Sequence, residues 1–281
     1  MVSGLVFFFS RPSPGRSIPL DKTESSIQVS IRRTLDDGEP VNAEVLALVP
    51  ARSGSKSVRD KNVYPLAGHP LLGWSIAAAR KSALIDRVLL TTDSPTYAAV
   101  GDTYGAEVPF LRPAALATDD ALDNSFVEHA LNWLVDNGGE PELLINLRPT
   151  TPLRRPEVID KAIEQFRAFE GFTALRSVHE MSESALKTFE IINGLLRPMG
   201  SPDGTVDDVN LPRQQYPSTY DANGYVDILS TEVIRSSDTL YGDRVVPFIT
   251  ERTLEIDTPA DIEYLEYLVE LNPDLVESLF T

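Results

Sequence analysis

The chain of 281 residues contains no cysteine. Disulfides, thiolate zinc sites and a cysteine nucleophile are therefore excluded, and the composition suits a reducing compartment, so a cytoplasmic location is expected. Histidine is scarce. His69, His129 and His179 are the only three, too few for a multi-histidine metal centre. His69 reads as a turn residue, His129 as packing on a helix, and His179 lies at a strand end. Long apolar runs are missing as well. Val6 to Phe9 falls far short of the roughly 20 residues of a spanning helix, and it lacks the flanks of a signal peptide. No membrane partner is expected. Arg11, Arg16, Arg32 and Arg33 among serines resemble a transit segment, but Asp21, Glu24, Asp36, Asp37 and Glu39 argue against that.

Positive charge is also in short supply. Lys plus Arg is 25 against 42 Asp plus Glu, for a net charge of −17. General nucleic-acid and anionic-membrane binders carry basic faces, so neither class is expected. An anionic small substrate needs only a local basic island.

Residues 1–42 carry many Pro, Ser and charged positions with little periodicity, and read as an N-terminal extension. Only Ser26 to Ile31 alternates like a strand. From residue 43 the character changes to that of a single α/β domain. Strands are expected at Val45–Val49, Arg87–Thr91, Glu142–Leu147, Phe172–Val178, Tyr225–Leu229 and Val245–Ile249. Helices are expected at Pro70–Ala83, after Ser94 and Pro95, at Leu122–Asp136, Pro156–Phe169 and Pro259–Leu271. This alternation implies a mostly parallel, Rossmann-like sheet with helices on both faces. The pattern breaks at about 179–222, where Lys187–Arg197 reads as a hairpin turning at Asn193-Gly194. Such an insertion suits a lid or a dimer contact.

The basic island follows the first strand directly. Arg52, Lys56, Arg59 and Lys61 stand within ten residues against one acid, Asp60. Ser53, Gly54 and Ser55 are small enough for a backbone to approach a phosphate. In open α/β sheets ligands bind at the carboxyl ends of strands. Composition alone fits a solvated loop equally well. The spacing is neither that of a Walker A loop nor GxGxxG.

Ala51-Arg52-Ser53-Gly54-Ser55-Lys56, then Lys61-Asn62 and Gly68-His69-Pro70-Leu71, resembles the signature of the acylneuraminate cytidylyltransferases. These are the CMP-sialic acid synthetases and their relatives for other nonulosonic acids. Further matches follow in order: Thr91-Thr92-Asp93-Ser94, Leu111-Arg112-Pro113 through Asp119, Pro149-Thr150 to Arg154, Pro212 to Gln215, Asn223-Gly224, and Ile256-Asp257-Thr258-Pro259 with Asp261. The resemblance covers about residues 44–270. It implies a fold of the nucleotide-diphospho-sugar transferase type and a small hairpin insertion used for dimerisation. It also implies transfer of CMP from CTP to the anomeric hydroxyl of an acidic sugar, with release of pyrophosphate.

Residue by residue, the resemblance implies that Ala51, Arg52, Ser53, Gly54, Ser55, Lys56, Lys61 and Asn62 hold the nucleotide. Arg52, Lys56, Lys61 and Asp257 would be catalytic. Arg112 matches a nucleotide-contacting arginine, with a structural salt bridge as the other reading. Arg148, Thr150, Lys187, Arg213, Gln214 and Asn223 are expected at the acceptor; Lys187 and Arg213 are equally readable as surface charges. Mg²⁺, with Mn²⁺ as a substitute, is expected on Asp257 and Glu255, two carboxylates facing one side of an extended strand. Three positions depart from the family pattern: Glu255 where Asp is usual, Arg148 where sialic acid enzymes carry Gln, and Asp221 where many relatives place a basic residue. Arg148 suits a carboxylate or phosphate. It keeps a small phosphonate open as an alternative acceptor, beside a Kdo-type sugar. A non-catalytic nucleotide-binding regulator is the remaining alternative. A homodimer is expected by resemblance.

Overall fold

Val45–Pro50 forms β1, and its side chains divide between two faces at period two: Val45, Ala47 and Val49 enter one apolar cluster, Leu46 and Leu48 the other. Burial on both faces is why the strand reads as an unbroken apolar run. The computed structural model describes residues 45–281 except 169, 202 and 203. The N-terminal extension, with its candidate strand at 26–31, lies outside the described residues.

After the loop that follows β1, Pro65–Leu66 (β2) and His69–Pro70 (β3) pair as a minimal antiparallel hairpin. This pairing takes Pro70 out of the expected helix, so α1 runs Leu71–Lys81 with Pro70 as its extended N-cap. β4 is Arg87–Thr91. Ser94 caps α2 (Pro95–Thr103) through a bond from the Tyr97 N–H, with Pro95 at the first turn as expected. α3 covers Asp123–Asp136, β5 Leu143–Asn146, α4 Pro156–Arg167 and β6 Ala174–Glu180. β7 (Phe189–Ile192) and β8 (Leu195–Pro198) make the expected hairpin, and Asn193 and Gly194 both take positive φ, of 53° and 81°.

β9 (Tyr220–Ser230) begins earlier than expected and leads into a short α5 (Thr231–Ser236). β10 (Val245–Ile249), α6 (Pro259–Glu270) and α7 (Pro273–Phe280) complete the chain. Neither α5 nor α7 was expected. α5 has under two turns and shows no period, and α7 follows α6 after one short break at Asn272-Pro273.

The six main strands form one sheet in the order β10-β6-β9-β5-β1-β4. β9 lies antiparallel between β5 and β6, and the other pairings are parallel. The expected mostly parallel sheet is therefore present, with one reversed strand inside it. α1, α2, α4, α6 and α7 contribute to the apolar cluster on one face, α3 and α5 to that on the other. Among the described residues, no helix is long and apolar enough to cross a membrane.

β6 and β9 lose register between Arg176 and Val178: Asp227 lies opposite Arg176, yet Ala222 lies opposite Val178. The surplus residues of β9 bulge out around Asn223-Gly224, where Gly224 takes a φ of 63°. Bulges of this kind re-aim the chain beside functional sites. This one faces the end of β5.

Candidate active site

The loop from Ala51 to Asn62 is closed by its own contacts. The Ala51 N–H donates to the Thr91 carbonyl at 3.0 Å, fastening the loop's start to the end of β4. Asp93, just past β4, accepts from the Ser53 N–H at 2.7 Å and from its hydroxyl at 2.6 Å. Gly54 has a φ of 72°, a conformation that other residues rarely adopt. The Asn62 amide donates to the Arg52 carbonyl at 2.9 Å. Ser55 is half-buried beside them.

Two of the island's cations converge on one acid. Asp119 accepts from Arg52 at 2.6 Å and from Lys56 at 2.5 Å, and those two donors hold its carboxyl below the usual range. Among the described residues, Arg59 pairs with its neighbour Asp60 at 3.6 Å, and its side chain is almost wholly in solvent. Lys61 behaves differently. It is buried, donates to the Ile256 carbonyl at 2.6 Å, and stands 3.6 Å from Asp257.

Arg112 is buried and donates to the Thr91 carbonyl at 2.6 Å and to the Thr91 hydroxyl at 3.2 Å, with its guanidinium over the Phe126 ring. Burial pushes it down to about 10, partly offset by Asp93 and Asp123. In this structure it is a strut beneath the loop.

At the end of β5, Arg148 pairs with Asp123 and, at 3.2 Å, with the fully buried Asp227. Burial works against its charge, but Asp227 and Asp123 more than offset that and hold it above the ordinary arginine value. Arg154, wholly buried, donates to the carbonyls of Arg148, Gly224 and Tyr225 and to the Ser75 hydroxyl. It thereby ties the β9 bulge to the end of β5. Burial pushes it down to about 9. A side chain at Gly224 would come within 3.2 Å of the Thr151 hydroxyl, so the bulge packs closely there. Asn223 is buried, with its amide donating to Thr250 at 2.7 Å and its oxygen accepting from the Tyr225 N–H.

Glu255 and Asp257 lie beyond β10 in a segment with no regular strand, contrary to expectation. The geometry expected of a strand survives locally. Ile256 is fully buried and its N–H donates to the Thr150 carbonyl at 2.9 Å, which leaves both flanking carboxylates exposed. Thr150 also donates its hydroxyl to Glu255 at 3.0 Å. Asp261 receives the N–H groups of Asp257 and Thr258 and so fixes the backbone at Asp257. Two hard-oxygen donors suit Mg²⁺, which commonly takes one or two carboxylates and fills its shell with phosphate oxygens and water. Among the described residues, no group of three or more ligating side chains holds a metal by itself.

Lys187 and Arg213 stand apart from the loop. Lys187 pairs with Glu183 at 3.2 Å, and Arg213 lies 3.6 Å from Glu180. Gln214 is exposed in the same short turn as Arg213. Arg213, His179 and Asp221 line a polar cleft of about 290 Å³ at the base of the insertion. His69 stacks on Phe280 with centroids 3.6 Å apart, and His129 packs edge-on against Phe110.

Sequence reasoning missed Asp123 and Asp227 beside Arg148. The available signal was Asp227 itself, an acid in the middle of the apolar run Tyr225–Leu229.

The cytidylyltransferase family model matches residues 46–279. The N-acylneuraminate cytidylyltransferase of Escherichia coli is 30% identical over 229 residues, covering 79% of this chain and 51% of that protein. The chain thus spans about half the length of that relative. A CMP-N,N'-diacetyllegionaminic acid synthase of Legionella pneumophila is 30% identical over 239 residues, covering 82% of this chain and 98% of that one. Among solved structures, a CMP:2-keto-3-deoxy-manno-octonic acid synthetase complexed with CTP aligns with a TM-score of 0.62 at 16% identity, over 82% of this chain and 99% of that one. That likeness is one of fold.

Proposed function

The chain belongs to the cytidylyltransferase family, and on that footing we propose that it transfers CMP from CTP to the anomeric hydroxyl of an acidic nonulosonic sugar. The observation that carries this reading is the approach of the cationic loop to the carboxylate segment, with Lys61 on the Ile256 carbonyl and 3.6 Å from Asp257. A triphosphate held by the loop then lies beside the acids suited to its metal.

In this reading Arg52, Ser53, Gly54, Ser55 and Lys56 hold the triphosphate, and Arg52 and Lys56 stabilise charge on the departing pyrophosphate. Lys61 and Asn62 hold the loop's far end, and Arg112 supports it from below. The sugar's anomeric oxygen bonds to the α-phosphorus as the bond to the pyrophosphate oxygen breaks, and the hydroxyl proton leaves to solvent. Positioning and charge stabilisation dominate such transfers. Asp257 and Glu255 would hold Mg²⁺, or Mn²⁺ in its place. When bound, the ion would neutralise phosphate charge.

The acceptor lies between the end of β5 and the β9 bulge, near Arg148, Thr150 and Asn223, and Lys187, Arg213 and Gln214 on the insertion are assigned to it by resemblance alone. Arg148 already has two carboxylate partners. The feature that favoured a phosphonate acceptor is thereby weakened. The Kdo-type alternative rests on likeness of fold, whereas the relatives at 30% identity are named for sialic and legionaminic acids. A homodimer through the insertion is part of the proposal. Ile191, Leu195, Leu196 and Met199 on and beside the β7–β8 hairpin are all more than half exposed, an apolar surface that a second copy would cover. Light scattering tests the dimer, and pyrophosphate release tests the reaction.

A further inference from the structure

Behind Arg148 lies a polar cluster for which the proposed reaction has no role. Asp227, on β9, is 1% exposed and sits at its centre. Arg148 approaches its Oδ2 at 3.2 Å, the Tyr241 hydroxyl donates to the same oxygen at 3.0 Å, and Arg176 lies 3.8 Å from Oδ1. Asp123 takes the other end of the Arg148 fork. Arg148, Arg176, Tyr241 and Asp123, with the exposed Leu122, line a cleft of about 440 Å³. Asp227 itself lies beneath that lining. The sheet register puts it there: Asp227 stands opposite Asn146 on one side and Arg176 on the other.

Two guanidinium groups at the mouth of a cleft would normally recruit a carboxylate or phosphate. Here two carboxylates are already in place, so the charges cancel. A third anion brought to Arg148 would face Asp123 as well. A buried charge of this kind is expensive unless paired. The pairing therefore holds the arginine geometry and removes the cluster's net charge.

We propose that Asp227 is a positioning residue for acceptor choice. It holds Arg148 and Arg176 in ion pairs, so that the cleft accepts a neutral hydrogen-bonding substituent of the acceptor and rejects an anionic one. The acceptor's own carboxylate binds elsewhere. This inference rests on the reading of the chain as an acidic-sugar cytidylyltransferase.

The test uses the full chain with CTP, Mg²⁺ and two nine-carbon 2-keto acids that differ only in one substituent, acetylamino in one and succinylamino in the other. The wild-type protein is expected to favour the neutral acceptor by about tenfold or more in kcat/KM. Asp227→Asn removes the carboxylate that Arg148 and Arg176 share, leaves Arg148 paired with Asp123 alone and gives the cluster an excess positive charge. It is expected to reduce that ratio about tenfold, through KM for the acceptor, with KM for CTP unchanged. If Asp227→Asn fails to fold, as judged by thermal unfolding, Asp123→Asn takes its place at the half-exposed partner of Arg148. It should move the ratio in the same direction by a smaller factor. Equal losses on both acceptors, with an unchanged ratio, would mean a merely structural role and overturn the inference alone. Absence of turnover with either sugar and with a wider panel of acid sugars would overturn the underlying reading, and the inference with it.

Discussion

Lys61 places its ammonium 2.6 Å from the carbonyl of Ile256, a residue 195 positions further along the chain. That contact joins the cationic loop after β1 to the acids before α6. It also explains why Lys61 alone among the island's cations is buried. Replacing it by Met keeps much of the stem's packing and removes the donor. Lys61→Met is expected to lower kcat/KM about 100-fold, because a loop displaced by about 1 Å loses that much through misplaced reacting groups, while the thermal midpoint falls by only a few degrees. Steady-state kinetics beside a melting curve check both parts.

Asp119 occupies Arg52 and Lys56 where the proposed triphosphate would lie. Phosphate must displace this carboxylate or share its donors. Solvent-exposed pairs of this kind contribute little, so the competition is mild. Asp119→Asn is expected to tighten CTP binding by up to about fivefold and to steepen its salt dependence. Titration calorimetry at two ionic strengths measures both.

The two candidate metal ligands should not be equivalent. Asp257 stands 3.6 Å from Lys61 and its backbone is fixed by Asp261, whereas Glu255 is longer and bonded to Thr150. Asp257→Asn is expected to reduce kcat about 100-fold or more and to raise the Mg²⁺ concentration needed for half-maximal activity. Glu255→Gln should cost about tenfold. Rates measured across a Mg²⁺ series rank the two.

Asp261 provides a pH-dependent test of the same segment. Backbone N–H groups of Asp257 and Thr258, with the Thr258 hydroxyl, hold its carboxyl below the ordinary range. A carboxyl depressed in the folded state stabilises the protein above its unfolded value, near pH 4. That contribution is lost as pH falls through the folded value. Asp261→Asn is therefore expected to cost about 1 kcal/mol at pH 7, as for loss of a helix cap. The gap between variant and wild-type melting curves should close on acidification below about pH 4.

Much of the fold was legible because its elements are strongly patterned. β1, β4 and β5 are apolar and short, α4 is amphipathic, and Asn193-Gly194 marks a hairpin turn. The strand expected at Tyr225–Leu229 was correctly located, but its reversed direction was not legible. Direction depends on pairing with β5 and β6, which are distant in sequence. The start of α1 was misplaced by one residue because Pro70 pairs with Pro65 rather than opening the helix. At the candidate site, the cations and acids were visible as residue types. Their partners were not. Asp123, Asp227 and Arg176 meet around Arg148 only because β9 and the start of α3 converge on the end of β5.

The proposed transfer is measured by pyrophosphate release on mixing the chain with CTP, Mg²⁺ and an acidic nonulosonic sugar. Stoichiometric pyrophosphate and a CMP-sugar are expected with CTP, little of either without the sugar, and loss of both in Lys56→Ala. CTP binding without turnover on any acidic sugar would contradict it.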